Sequence, residues 1–229
     1  MLTIDQLTSI MPALSRKRGG DLLPFLEAAM NEFAIESPAR AAAFLAQVAH
    51  ESGQFRFMEE IWGPTPAQER YEPPSSLATR LGNTDPRDGK RFKGRGPIQI
   101  TGRANYRRYG TLLGLDLLAT PARAATPDAA FRIAGLFWRE NGLNELADLV
   151  TDEAFRTITK RINGGLNGLV ERRTFYGTAR KTLGVDSVLV SRSARSARGR
   201  RPMEGPVLER GAEAIRRARR PTKRMRKGR

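Results

Sequence analysis

Two glutamates, Glu51 and Glu60, flank the Ser52-Gly53 pair in FLAQVAHESGQFRFMEEIW, residues 44–62. One carboxyl group kept protonated beside a second kept ionised is the equipment for acid/base hydrolysis of a glycosidic bond. Phe44, Val48 and Glu51 share one face at helical spacing, and Gln47 lies one turn before Glu51. Gly53 is placed to end that helix. Glu51 then falls in the last turn, where unsatisfied carbonyls favour a protonated carboxyl over a charged one. Glu60 comes among Phe55, Phe57, Met58, Ile61 and Trp62. Two ordinary surface glutamates would show the same spacing, so the rest of the chain must decide.

The elements that would position these groups read as helices. Thr3 and Gln6 form a T-x-x-Q capping box before Ile4, Leu7, Ile10, Met11 and Leu14. Residues 16–20 read as a basic loop, with Asp21 capping a second helix whose Leu22, Leu26, Ala29, Met30 and Phe33 face inward. Ser37-Pro38 starts the helix that carries Glu51. From residue 63 to 95 five prolines dissolve the pattern into a long loop. Asn83, Asp85 and Asp88-Gly89 there read as turn chemistry rather than a calcium loop. Pro97 to Thr101 alternates as a short strand, with Ile98 and Ile100 inward and Gln99 and Thr101 on the open side. Helices follow over 102–113, from Thr126-Pro127 to Asn141-Gly142, over 152–162 and over 169–183. Phe137 and Trp138 read as core. The prediction is a mainly α domain over residues 1–186 with very short β elements.

Composition narrows the classes. There is no cysteine and only one histidine, His50, so neither disulfides nor a thiolate or multi-imidazole metal site is available; no metal or cofactor is expected. The N-terminal residues lack a basic stretch followed by an apolar run, and no stretch is long enough to span a bilayer. The net charge of +16 is concentrated at the end. Residues 187–229 hold 15 Lys+Arg and 3 Glu, leaving 25 basic and 21 acidic residues in the body. This tail reads as disordered, with an amphipathic helix over 207–220 as a candidate contact for anionic membrane or lipopolysaccharide. Nucleic acid is the other generic polyanion, but no specific nucleic-acid motif is present.

Taken together, AQVAHESGQF, Glu60, GRGPIQITGRANY and INGGLNG resemble glycoside hydrolase family 19 over about residues 39–183. EIWGPTPAQERYE and LGNTDPRDGKRFKGRG are similar to its bacteriophage endolysin members. The resemblance implies a lysozyme-like, two-lobed helical fold and hydrolysis with inversion. It implies Glu51 as general acid and Glu60 as general base. Gln99, Thr101, Asn105 and Asn163 then match sugar-binding positions, and Arg172 a basic residue that holds the acid. Gln54 departs from the family's usual glycine, Glu59 competes with Glu60 as base, and Glu69 and Glu72 are further alternatives. The activity implied is that of a peptidoglycan N-acetylmuramidase, acting as a monomer in the periplasm after synthesis in a host cytoplasm. A chitinase is the alternative within the class. A cationic membrane- or nucleic-acid-binding protein with an inactive sugar cleft is the alternative outside it.

Overall fold

Hydroxyl side chains start most of the helices. In the computed structural model, which describes residues 1–186, Thr3 caps α1 (Ile4–Ile10) through a reciprocal box with Gln6. Ser15 caps α2 (Arg16–Glu32) by accepting from the Arg18 N–H. The expected basic loop over residues 16–20 is therefore the first turn of α2, and Asp21 is not its cap. Ser15 supplies the start signal, and Gly19 is buried where a Cβ would strike Ile4 Cδ1 at 2.7 Å, so this glycine serves close packing on α1. Ser37 caps α3 (Pro38–Ser52), with proline at its start and Gly53 closing it in the left-handed conformation (φ 59°).

Two lobes result. The larger gathers α1, α2 and α3 with α8 (Pro127–Glu140), α9 (Leu143–Ala147), α10 (Asp152–Asn163) and α11 (Leu169–Thr182). α3 is its axis: every residue from Ala41 to Ser52 is buried. The sequence pattern shows one apolar face, but small alanines let helices approach from all sides. Phe44 meets Trp138 edge-on at 5.3 Å, and Phe155 stacks on Tyr176 at 4.2 Å. Each such buried side chain contributes about 1.5–3 kcal/mol.

The smaller lobe holds α4 (Pro66–Glu69), α5 (Ser76–Leu81), α6 (Asp88–Arg91) and α7 (Arg103–Leu113). Three of these lie in the stretch read as one long loop. Polar clamps do much of the joining there. Arg103 spans Asp85 and Asp88, its backbone N–H donates to Asn83 Oδ1 at 2.8 Å, and Asn83 Nδ2 donates to the Tyr71 carbonyl at 2.9 Å. The expected strand over residues 97–101 is not formed. Gln99 has a left-handed φ of 54°, which breaks the alternation, and β pairing among the described residues is confined to isolated bridges of Arg95 with Glu59 and with Ile100. The mainly α, lysozyme-like architecture is as expected. The expectations for residues 187–229 lie outside the described residues. Among the described residues no helix is long and apolar enough to cross a membrane.

Candidate active site

The last turn of α3 delivers Glu51 into a buried polar chain. Arg172, from the first turns of α11, is fully buried and donates to Glu51 Oε1 through Nη2. Its Nη1 donates to Gln47 Oε1 at 2.5 Å, and Gln47 Nε2 donates to Thr159 Oγ1 at 2.9 Å. The Thr159 hydroxyl in turn donates to the Phe155 carbonyl at 3.0 Å. No buried side-chain polar atom of Gln47, Glu51, Thr159 or Arg172 lacks a partner, which is the condition for burying a charge at tolerable cost. A second bridge runs alongside: His50 Nδ1 lies 2.7 Å from Glu171 Oε2. Asn163 donates from Nδ2 to the carbonyls of Gly165 (3.0 Å) and Asn167 (3.3 Å), shaping the loop that ends α10.

Between the two glutamates the chain reverses through three consecutive left-handed residues, Gly53, Gln54 and Phe55. The two non-glycine members cost on the order of 1–3 kcal/mol each. Compensation comes from long-range partners. The Ala13 N–H donates to Gln54 Oε1 at 2.7 Å, and Arg18 donates to the Phe55 carbonyl through Nε (3.1 Å) and Nη2 (2.9 Å). Phe55 itself is buried edge-on against Phe131.

Glu60 emerges from this turn into a different environment. It is 2% exposed; Oε2 accepts from the Gly94 N–H at 2.9 Å and Oε1 from Gln68 Nε2 at 3.0 Å. Burial raises its pKa above the ordinary glutamate value, against the opposing pull of the Gly94 and Gln68 hydrogen bonds and of Lys93 and Arg95. Both donors can only give protons, so they favour the carboxylate. Glu59 points elsewhere: its side chain is 43% exposed and pairs with Arg95 at 2.9 Å and Lys93 at 3.3 Å. The two adjacent glutamates are thus distinguished by geometry that spacing could not supply.

Gln99 and Thr101 gather around Glu60, but buried rather than on an open strand face. A Cβ on Gly94 would lie 2.7 Å from Gln99 Oε1 and 3.4 Å from both Glu60 Oε2 and Thr101 Oγ1. Only glycine permits that convergence. Gln99 Nε2 donates to the carbonyls of Gly96 (2.7 Å) and Phe57 (3.2 Å), while Oε1 is buried with no protein partner among the described residues. Asn105 Nδ2 donates to the Thr101 carbonyl at 2.8 Å, behind that group. Glu69 is exposed, and Glu72 accepts from the Lys90 N–H at 3.1 Å, so neither is tied into the Glu60 environment by a hydrogen bond. Gly94 and Asn167 stand within the motifs GRGPIQITGRANY and INGGLNG, though their contacts do not show there; Gln68, Thr159 and Arg18 escape sequence reading. Only Gln68 leaves a signal, the T-x-x-Q box with Thr65, and that signal concerns its helix rather than its reach to Glu60.

Comparison with known proteins bears on the family and the fold. A family model described as class I chitinase, glycosyl hydrolase family 19, matches residues 31–147. An endochitinase of Arabidopsis thaliana is 44% identical over 126 residues, 54% of this chain and 39% of its own length. A Haemophilus influenzae protein described as containing a glycosyl hydrolase family 19 domain is 38% identical over 158 residues, 59% of this chain and 76% of its own. The crystal structure of chitinase C from Streptomyces griseus HUT6037 shares the fold, with a TM-score of 0.59 over 80% of this chain and 76% of that one at 24% identity. The chain spans about two fifths of the Arabidopsis protein's length.

Proposed function

We propose that this chain, which belongs to the class I chitinase family, glycoside hydrolase family 19, hydrolyses the β-1,4 bond between the amino sugars of bacterial peptidoglycan. The observation that carries a glycosidase reading is the contrast between two buried glutamates. Glu51 faces a guanidinium, and Glu60 accepts only from an amide N–H and a glutamine amide. Glu51 is the general acid that protonates the leaving glycosidic oxygen. Arg172 stabilises the carboxylate left behind, the product side of that transfer. Glu60 is the general base that takes a proton from the attacking water. Its burial-raised pKa makes it a stronger base than an ordinary glutamate while its donors favour the ionised form. Attack opposite the departing sugar inverts the anomeric carbon. Gln99, Thr101 and Asn105 on the Glu60 side and Asn163 on the Glu51 side hold the sugars.

The peptidoglycan assignment is supported by the likeness of residues 60–72 and 81–96 to phage endolysins. The basic segment 187–229 fits contact with an anionic envelope surface, at which a monomeric enzyme released to the periplasm would work. Chitin is the second reading, favoured by the likeness to a plant endochitinase. Mass spectrometry of the products separates them. Purified sacculi digested by the wild type are expected to release muropeptides with N-acetylmuramic acid at the reducing end. Chitooligosaccharides from chitin, with nothing from sacculi, would replace this reading by the second.

A further inference from the structure

One concave surface of the smaller lobe is lined by neither Glu51 nor Glu60. An open cavity of about 570 Å³ lies beside α6 and the turn at Pro121–Ala125. Its walls carry Arg87, Lys90, Arg91, Lys93, Arg95 and Arg103 against three acids, Glu59, Asp85 and Asp88. The acids are engaged: Asp85 and Asp88 clamp Arg103, and Glu59 pairs with Arg95 and Lys93. Arg87, Lys90 and Arg91 are exposed and have no carboxylate partner among the described residues. Arg91 donates to the Leu118 carbonyl through Nη2 at 2.7 Å and lies over the Phe92 ring, 5.3 Å from its centre. The cavity is therefore a surplus of positive charge in a depression, which selects anions.

Its place relative to Glu60 sets which anion. Glu59 and Arg95 form an antiparallel bridge, and the Glu60 N–H donates to the Gly94 carbonyl at 2.8 Å. Successive side chains on extended backbone point to opposite faces. Glu60 therefore turns toward Gln99 and Thr101, while Glu59, Lys93 and Arg95 line the cavity on the reverse side. A group bound there is separated from the reacting bond by little more than one layer of backbone.

We propose that this cavity binds the acidic peptide that peptidoglycan carries on its muramic acid residues. The inference rests on the peptidoglycan reading. An extended peptide of four or five residues reaches roughly 13–18 Å, enough to pass from a sugar beside Glu60 around one paired backbone layer. Its free carboxylates suit the forked guanidinium donors of Arg87 and Arg91. Chitin carries neither peptide nor charge, so the cavity contributes to one substrate and not the other.

The test replaces the three unpaired cations together, Arg87→Gln, Lys90→Gln and Arg91→Gln, all exposed and outside the hydrogen bonds of Glu51 and Glu60. KM on purified sacculi is expected to rise about tenfold, the combined effect of three exposed charge contacts, with kcat unchanged. On the same glycan stripped of its peptides by an amidase, the variant and wild type are expected to match. A control triple at Lys17, Arg107 and Lys160 removes equal charge elsewhere and is expected to leave KM within twofold. An unchanged KM on sacculi, an equal rise on stripped glycan, or an equal rise in the control would overturn the proposal. A wild type inactive on both glycans would instead defeat the peptidoglycan reading. NMR titration of the Glu51→Gln protein with a soluble disaccharide-tetrapeptide then judges the cavity separately. Shifts at residues 87–95 that the triple variant abolishes uphold it, and their absence overturns it.

Discussion

The two glutamates are held by opposite means. Glu51 rides on a helix and is fixed by side chains from two others: Arg172 of α11 grips it and Gln47, and Thr159 of α10 closes the chain. Glu60 sits on irregular backbone and is fixed by a main-chain N–H and one amide, from Gly94 and Gln68. The first arrangement places an ion pair in a packed core, where removing one partner leaves a charge without compensation. The second places a carboxylate against dipoles, where removing a donor changes its basicity before it changes its position. The helical half is built for fixed geometry and the loop half for a tuned proton affinity.

The comparison can be broken from either side. The largest expected effects are chemical. Glu51→Gln and Glu60→Gln are each expected to lower kcat on the natural glycan by about 10²–10⁴-fold, with circular dichroism showing an intact fold. Next comes the helical clamp. Arg172→Ala leaves Glu51 and the Gln47 carbonyl oxygen buried without their donor, and chemical denaturation is expected to show a loss of about 3–5 kcal/mol. A smaller and different effect is expected on the loop side. Gln68→Leu removes a bond that lowers the pKa of Glu60, so that pKa rises further above the ordinary glutamate value. The base works ionised, so activity is gained as pH rises through its pKa, and the acidic limb of kcat/KM moves to higher pH. A limb that stays put would detach Glu60 from it. Arg18→Met releases the Phe55 carbonyl from the reversal between the glutamates and is expected to cost about 1.5–3 kcal/mol, read by thermal unfolding. The smallest effect belongs to Glu59→Gln: this side chain is 43% exposed and its amide oxygen can still accept from Arg95, so the loss is about 1 kcal/mol and activity is expected to stay within about twofold.

The same division explains what could be read in the chain beforehand. α3 was legible because its signals are local: Ser37 and Pro38 start it, Gly53 stops it, and the alternation of faces points Glu51 away from solvent. α8, α10 and α11 were legible for the same reason. α2 was not, because Gly19-Gly20 reads as a break unless one knows that Ile4 and Leu14 press on Gly19. Apart from α7, the smaller lobe has helices of four to six residues, too short to show a period, and their joints are Asn83, Asp88 and Arg103, partners far apart in sequence. Gln99 and Thr101 were recognisable as candidates from the motif, yet their burial was not. The left-handed φ at Gln99 that folds the segment inward is set by contacts with Phe57 and Gly96. The choice between Glu59 and Glu60 needed Gly94, 34 residues away from Glu60.

The central claim is that Glu51 gives a proton and Glu60 takes one. It is tested most directly by measuring kcat/KM for Glu51→Gln and Glu60→Gln on the natural glycan and on an aryl oligosaccharide whose leaving group departs without protonation. The account predicts that the activated substrate restores most of the activity lost in Glu51→Gln and none of that lost in Glu60→Gln. Restoration in Glu60→Gln alone, or equal behaviour of the two variants, would contradict it.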